Sequence, residues 1–489
     1  MRQLLHPTLR LSLLTGSSVI VLIFAGCMVG PNYRTPEVQM PAEWAGPTEF
    51  GAGTTRPATR PTTGPAAATT RPVELSTWWD GFNDPILTGL IREAAEANLT
   101  RQQAASRVRQ ARYARTISAS ALWPDVNTTG SYTRSGRDSG GLGGSNDLYR
   151  AGVDASWEID VFGGVRRSVE AADADVAVAV EDERDVRVSL VAEVALDYID
   201  LRSFQRQIEI SRSNLVAQRR SADLTRRQFQ GGFVSGLDVA NADAQVATTE
   251  SAIPLLEASE RQAVYALSVL LAREPGALLR ELIDQQPARG VIPGSPPEVP
   301  VGLPSELLER RPDIRRADAQ VHAATARVGV ATADLFPRFF LNGAGNVSSD
   351  KLVGLANWSN TAFSIGPSVS WPLFTAGRIR ANIAFQNEAA QQAALAYRQT
   401  ILNALQEVES ALIDYAKEQE HRRSLAAAAA ANRRAVELST TLYTQGNTDF
   451  LNVLSAQRSL YAAELALVNS DRTLATSLVA LYKALGGGW

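Results

Sequence analysis

Cysteine and histidine are scarce in this chain, which has one cysteine and three histidines among its 489 residues. A single thiol cannot form a disulfide within the chain, so a disulfide framework is excluded. The histidines stand at positions 6, 322 and 421, far apart in the sequence, and each is interpreted as an ordinary solvent-facing side chain. We therefore expect no metal site and no cofactor.

The chain also lacks a strong charge of either sign, since 48 basic and 51 acidic residues leave a formal net charge of −3. A general nucleic-acid binder carries a basic excess, so no nucleic acid is expected as a partner. Phosphate-binding glycine loops and zinc motifs are missing from the sequence. Residues 138–141 read Asp-Ser-Gly-Gly, as around a protease nucleophile, but the preceding glycine is missing and no histidine base is expected beside them. We expect no enzyme activity and no catalytic residue.

Long apolar runs are missing except near the start, where apolar residues 11–24 follow two arginines. The run is shorter than the ~20 residues of a transmembrane helix and ends in small residues, as a signal peptide does. The small residues directly before Cys27 resemble a bacterial lipobox, which predicts a signal peptide over 1–26 and a covalent lipid on Cys27. The alternative is a thiol in a discarded signal. Met28 is not an aspartate, and resemblance to bacterial lipoproteins then implies the outer membrane.

Residues 27–77 are interpreted as a lipid-anchored N-terminal segment and a linker. From Thr54 to Pro72 the chain consists of Thr, Arg, Pro, Ala and Gly without apolar periodicity. Such a composition predicts an extended, mobile tether rather than part of a core. Three arginines, at positions 56, 60 and 71, leave a basic polyanion-binding tail as the alternative.

Most of the remaining chain is one unit used twice. Residues 157–271 align with residues 371–485 at a constant offset of 214, without a gap. Trp157 then meets Trp371, and Gly163 meets Gly377. The architecture must therefore be read as a repeat, with a first unit over 78–298 and a second over 299–489.

Each repeat contains a predicted β-hairpin, over 126–160 in the first and 338–374 in the second. Apolar and polar residues alternate strictly from Tyr149 to Asp160 and from Phe363 to Leu373, so each strand has one apolar and one polar face. The strands have the ~9–11 residues of a membrane-spanning strand. The alternative is a half-exposed soluble sandwich. Four strands cannot close a barrel, and open edges cannot stay unpaired in lipid, so we expect three copies to share 12 strands.

Long helices follow each hairpin, over 165–229 and 379–443. They end at predicted tips, 230–236 and 444–450, and the chain returns as helix over 237–272 and 451–485. At a rise of 1.5 Å per residue, each long helix reaches about 100 Å. One return helix and one shorter helix, over 86–122 or 305–336, together match that length. Each repeat thus supplies two helical columns, which gives 12 columns in a trimer.

Several motifs make the sequence similar to the trimeric outer-membrane efflux proteins of the TolC type, in the lipoprotein branch that serves resistance–nodulation–division (RND) pumps. These motifs are 27–33 (CMVGPNY), 157–163 (WEIDVFG), 307–313 (LLERRPD), 371–374 (WPLF) and 481–489 (LYKALGGGW). The resemblance implies an α+β membrane protein with an internal two-fold repeat. Its trimeric 12-stranded β-barrel, four strands per protomer, is continued by a 12-helix periplasmic α-barrel. The implied partners are two further copies, outer-membrane lipids, a periplasmic membrane-fusion adaptor and an inner-membrane RND-type pump.

The resemblance also places a gate at the tips, which here are the turns at Gly232 and Gly446. In relatives of the lipoprotein branch, a Leu and an Asp one helical turn apart narrow the opening. The matching positions are Leu451 and Ser455, so an acidic ring is not expected at Ser455.

Two other residues, Asp449 and Asp238, are candidates for negative charge near the opening. The alternative for all of these tip residues is a role in helix capping or plain solvent exposure.

The sequence thus supports a passive efflux duct across the periplasm and outer membrane. The alternative is a structural or adhesive coiled-coil lipoprotein that has no lumen. The transported substrates stay open, because in such a system the pump selects them.

Overall fold

A computed structural model describes residues 28–45, 75–136, 145–284, 289–294, 302 and 304–489. Cys27, residues 138–141 and the linker between residues 46 and 74 lie outside this part of the chain. The chain divides into two compact units. The sheet unit comprises the described residues within Met1–Val38, Ser106–Glu181 and Arg315–Gln399, and the tip unit those within Gln39–Ala105, Asp182–Ile314 and Thr400–Trp489. Both sequence repeats contribute to both units.

Twelve elements carry the fold of the described residues, besides short 3₁₀ and π turns. In chain order they are α1 (Pro85–Ala97), α2 (Leu99–Ser120), β1 (Asp125–Gly136), β2 (Ser145–Ile159), α3 (Gly164–Gln230), α4 (Gly236–Leu270), α5 (Leu307–Arg310), α6 (Pro312–Ala333), β3 (Arg338–Ser349), β4 (Thr361–Ser370), α7 (Arg378–Thr444) and α8 (Phe450–Ala484). The long helices α3 and α7 have 67 residues each, and the return helices α4 and α8 have 35 each. No helix in the described part of the chain is both long and apolar enough to cross a membrane.

The two hairpins form one antiparallel sheet with the order β1-β2-β3-β4. Strand β2 of the first repeat pairs directly with β3 of the second, and Trp157 lies opposite Leu341. Two separate hairpins would leave four open strand edges, and the pairing of β2 with β3 reduces them to the two outer edges, those of β1 and β4. The sheet is therefore built by both repeats together.

The predicted single helix over 86–122 is wrong, because the chain breaks at Asn98. The Asn98 amide donates to the backbone oxygen of Leu270 at 2.9 Å, and its side-chain oxygen accepts from the Arg101 N–H at 3.0 Å. Asn98 thus ends α1 and caps α2 while its own side chain is buried. The sequence signal was present, since asparagine is a strong N-cap residue.

The predicted helix over 305–336 is also interrupted. It consists of a 3₁₀ turn at Pro304–Glu306, the short helix α5, and α6, which ends at Ala333. Arg311 between α5 and α6 is extended, since the residue before a proline avoids helical angles. Strand β4 ends at Ser370, before the predicted Trp371 and Leu373, because Ser370 lies opposite Arg338, where its partner strand β3 begins.

The core of the tip unit lies where the return helices meet the segment before α1. Trp78 is 1% exposed, and its ring stacks on that of Tyr482 with 5.1 Å between centroids. On α3, five of the six residues that stand at intervals of seven from Val194 to Phe229 are buried: Val194, Leu201, Ile208, Leu215 and Ala222. Phe229, the sixth, is half exposed at the tip.

Candidate functional site

One face of the sheet is apolar and uncovered. Phe363 and Ile365 on β4 are 86% and 75% exposed, and they lie opposite Gly345 and Gly343 of β3. The same face carries exposed apolar side chains on all four strands, among them Val126, Val153, Leu341 and Val369. A contiguous apolar surface of this kind marks a face that contacts protein or lipid.

The opposite face of the same strands is polar and internally hydrogen-bonded. Ser156 Oγ donates to Asn342 Oδ1 at 2.9 Å, and Asn342 Nδ2 donates to Ser368 Oγ at 2.9 Å. This chain of bonds links β2, β3 and β4. A face of small polar side chains suits contact with water, so the sheet separates an apolar from an aqueous side.

The outer strands leave two long edges. Within the described sheet β1 pairs only with β2, and β4 pairs only with β3. Three successive antiparallel pairings make β1 and β4 run in opposite directions. Because of this, β4 of one copy can pair antiparallel with β1 of another, which removes both edges.

The two tips end their long helices with the same glycine turn. Gly232 and Gly446 have φ of +74° and +76°. The Gly232 N–H donates to the Phe229 oxygen and the Gly446 N–H to the Tyr443 oxygen, each at 3.0 Å, and the next amide closes a second bond of 2.9 Å in both turns. This is a Schellman motif, which needs a left-handed residue. Both predicted tip glycines therefore terminate helices.

The side chain of Asp238 takes part in a helix cap. Its carboxylate accepts from the Ser235 N–H at 3.0 Å and from Ser235 Oγ at 2.8 Å, which completes a capping box at the start of α4. The capping alternative thus describes Asp238. Asp449 is the N-cap residue of α8 and thus the counterpart of Ser235, but its side chain makes no cap hydrogen bond and is exposed.

Leu451 and Ser455 lie on one exposed side of α8, one turn apart. Leu451 is 54% exposed, whereas Val453 and Leu454 between them are buried in a cluster with Phe450. The first turns of α8 thus have one packed side and one free side. The free side carries Leu451 and Ser455, the two positions for which the sequence resemblance implied a place at the opening.

Sequence reasoning missed the contacts that join the two helical hairpins inside the tip unit. The Tyr443 and Thr225 hydroxyls lie 3.3 Å apart, and Gln457 Nε2 donates to Ser221 Oγ at 2.8 Å. No local sequence pattern predicts such contacts, because the partners are more than 200 residues apart in the sequence. They fasten the second hairpin to α3 of the first.

A half-buried acid on α3 was also missed. Burial, reinforced by the carboxylates of Glu193 and Asp200, raises the pKa of Asp197 to about 6. Asp200 itself pairs with Arg472, whose Nη2 lies 2.9 Å from Asp200 Oδ2. Elsewhere in the described residues, no group of three or more His, Cys, Asp or Glu side chains is placed to hold a metal ion. Cys27, the predicted lipid site, lies outside these residues.

The chain matches known proteins over nearly its full length. The profile of the family described as "Outer membrane efflux protein" matches residues 90–273 and 303–487, one match per repeat. Nodulation protein T of Rhizobium leguminosarum bv. trifolii is 30% identical, with 96% of each chain covered. The toluene efflux pump outer membrane protein TtgF of Pseudomonas putida is 31% identical over 97% of this chain and 96% of its own.

Among solved structures, the outer-membrane channel OprN has a TM-score of 0.82 and is 34% identical, over 95% of this chain and 100% of its own. The predicted fold class, with four strands and long helices in each protomer of a channel, is confirmed by this likeness. The chain belongs to the outer membrane efflux protein family, as its sequence motifs predicted.

Proposed function

We propose that three copies of this chain form the outer-membrane duct of a tripartite RND-type export system, anchored by a lipid on Cys27. The duct conducts small molecules passively, and an inner-membrane pump supplies the energy. The observation that carries this proposal is the sheet, whose apolar face is uncovered while its opposite face is polar. Such a sheet suits lipid on one side and water on the other.

The open edges support three copies. In lipid each unpaired backbone N–H or C=O costs several kcal/mol, so edges of 12 and 10 residues must be paired. The opposite directions of β1 and β4 let identical copies close a ring, and three copies give about 12 strands, within the known range of barrels.

The tips support docking of a periplasmic adaptor. Phe233 in the first tip is 83% exposed, which offers an apolar contact at the end of the helical hairpin. In the second tip, the free side of α8 with Leu451 and Ser455 lines the opening. Docking on the first tip would then act on the second through the contacts between the hairpins, such as Gln457 with Ser221.

Conductance in planar bilayers tests the duct. The purified full-length chain should migrate as a trimer and form ion-conducting pores. Deletion of its gene should raise sensitivity to toxic compounds, and restoring the gene should reverse the effect. A monomer that forms no pore would overturn the proposal.

Thiol scanning separates the duct from a coiled-coil lipoprotein without a lumen. With Cys27 blocked by its lipid, cysteines can be placed singly on the polar face, at Ser364 or Asp154, and on the apolar face, at Phe363 or Val153. In a duct, membrane-impermeant thiol reagents label the first pair and lipid protects the second. Labelling confined to the apolar face, on which Trp157 lies, would favour the stalk.

A further inference from the structure

We propose that residues 28–33 form an N-terminal strap, which buried Arg167 locks onto the sheet unit. The lock fixes the place where the lipid-bearing residue leaves the protein. This inference rests on the lipidation proposed above. It concerns the beginning of residues 27–77, for which the sequence predicts a lipid-anchored segment and a linker.

Arg167 is the centre of the lock, since it is 1% exposed and its guanidinium makes three hydrogen bonds to the strap. Its Nη2 donates to Asn32 Oδ1 at 2.7 Å and to the Gly30 oxygen at 3.4 Å, and its Nε donates to the Val29 oxygen at 3.2 Å. The fourth acceptor is Glu170, at 2.7 Å from Nη1. Removal of the strap would break three of the four hydrogen bonds of this guanidinium, each strengthened by the charge of the donor.

The strap also lies in a slot that glycines keep open. A Cβ on Gly30, whose φ is +88°, would come within 2.5 Å of Gly329 Cα. A Cβ on Gly163 would lie 2.8 Å from Met28 Cα. Backbone therefore touches backbone at both places, an approach that only glycine permits.

The far end of the strap is held by a second set of contacts. The Tyr33 ring stacks on that of His322, with 4.3 Å between centroids, and the Tyr33 hydroxyl donates to Asp318. Glu170 links the two sets, since its Oε1 lies 3.1 Å from His322 Nε2 while its other oxygen accepts from Arg167. The strap is thus fixed at both ends.

The strap begins where the strands end. The Val29 N–H donates to the Phe162 oxygen at 3.1 Å, three residues past the end of β2, and the Phe162 ring stacks on Phe336, two residues before β3. Consecutive Cα atoms are about 3.8 Å apart, so the position of Met28 bounds the point from which a lipid on Cys27 would start. A lipid on Cys27 would enter the membrane at the rim of the sheet. The strap would keep the lipid close to the sheet, so that insertion of one into the membrane favours insertion of the other.

The second repeat has no such lock, although its backbone is the same. Ala381 stands at the place of Arg167, and both amides donate to the equivalent glycine, Gly377 or Gly163. Gly377 has φ of +84°, close to the +80° of Gly163, but a Cβ on it would meet nothing within 4 Å. The lock is therefore an addition to the repeated fold and not a consequence of it.

Spin labelling of the full-length trimer in lipid vesicles tests the lock. A lipid attached through the sulfur of Cys27 leaves no free thiol, so a nitroxide on P31C reports the strap alone. The label should be immobile in the parent protein, and in Gly163→Ala, Arg167→Met and Asn32→Ala its motion should be at least about tenfold faster. Gly377→Ala adds the same backbone strain without touching the strap and should leave the label immobile.

A label that is mobile in the parent protein, or that responds equally to Gly163→Ala and Gly377→Ala, would overturn the lock. Asn32→Ala and Gly163→Ala decide the question if Arg167→Met does not assemble. A second label, on Cys27 itself, would show that no lipid is attached and would overturn the anchoring role. If the parent protein formed no conducting pore, the proposed duct would be overturned. The mobility of the label at position 31 would still test the strap.

Discussion

The first tip, 230–236, and the second, 444–450, end equal long helices with the same glycine turn, yet they differ in everything that the turn exposes. The first carries Phe233, and its acidic residue, Asp238, is part of a capping box at the start of α4. The second has Asn447 in the place of Phe233, and the carboxylate of Asp449 makes no cap bond. The repeat thus preserves the backbone geometry and lets the surfaces diverge, as the proposed docking and gating at different tips would require.

The same division holds along the rest of the repeat. Trp157 and Trp371 each donate an indole hydrogen bond to a backbone oxygen just before the hairpin, at 3.0 and 3.1 Å. Arg167 and Asp197, in contrast, have Ala381 and Ala411 as their counterparts. The repeat thus duplicates the indole bond that holds the start of each hairpin, whereas Arg167 and Asp197 occur once and are candidates for a role beyond the repeated fold.

The largest expected effect compares the two faces of one strand. Ile365→Lys puts a charge on the exposed apolar face of β4 and should destabilise the membrane-inserted trimer by about 2–4 kcal/mol per chain. Ser364→Lys, on the adjacent residue and the polar face, should cost much less, because its side chain stays in water. Trimer survival on heating in detergent measures both. Equal losses would contradict a sheet with one lipid face and one wet face.

Asp197→Asn should stabilise the protein at neutral pH. Because the folded-state pKa of Asp197 is raised to about 6, the folded chain holds its proton more tightly than the unfolded chain, and stability falls as pH rises from about 4 to about 6. The asparagine variant escapes this loss, so it should be more stable by about 1–2 kcal/mol at pH 7–8, discounted for partial exposure.

Thermal unfolding at pH 4 and pH 8 checks this prediction, since the two proteins should be equally stable at the lower pH. Asp197→Ala, which introduces the residue found at the equivalent position 411 of the second repeat, should show the same pH dependence as Asp197→Asn. Arg472→Met is the control of opposite sign, because it removes the partner of Asp200 and leaves the carboxylates around Asp197 in place. A difference at pH 8 that persists at pH 4 would contradict the assigned cause.

Much of this architecture could be predicted from the sequence because its causes are local. Alternation from Tyr149 to Asp160 is a property of neighbouring residues, and the glycine turns are set by φ at Gly232 and Gly446. The break at Asn98 and the lock at Arg167 depend on partners 172 and 135 residues away. Asparagine is a strong N-cap residue, so the sequence offers a signal for the break but not for its distant partner, whereas Arg167 looks like an ordinary polar residue of a helix and only the assembled chain reveals its role.

The two helix starts at the tips should respond differently to loss of their caps. Ser235→Ala breaks the capping box of α4 and should destabilise that turn by about 1 kcal/mol. Asp449→Ala removes no cap bond and should cost only about 0.3 kcal/mol through the helix dipole. Deuterium exchange of peptides across each tip measures both. Equal acceleration at the two tips would show that Asp449 caps α8 after all.

The smallest effect on stability is expected from a single charge at the opening. Ser455→Asp adds a carboxylate to the free side of α8, one turn after Leu451, and should leave folding unchanged since that side is exposed. Asn241→Asp adds the same charge at the equivalent position of the first repeat, one turn after Leu237. If only the second tip lines the opening, a potassium chloride gradient across a planar bilayer should show raised cation selectivity for Ser455→Asp alone. An equal rise in cation selectivity in both variants would mean that the two repeats share the opening. No change in either variant would mean that the narrowest point does not lie near Leu451.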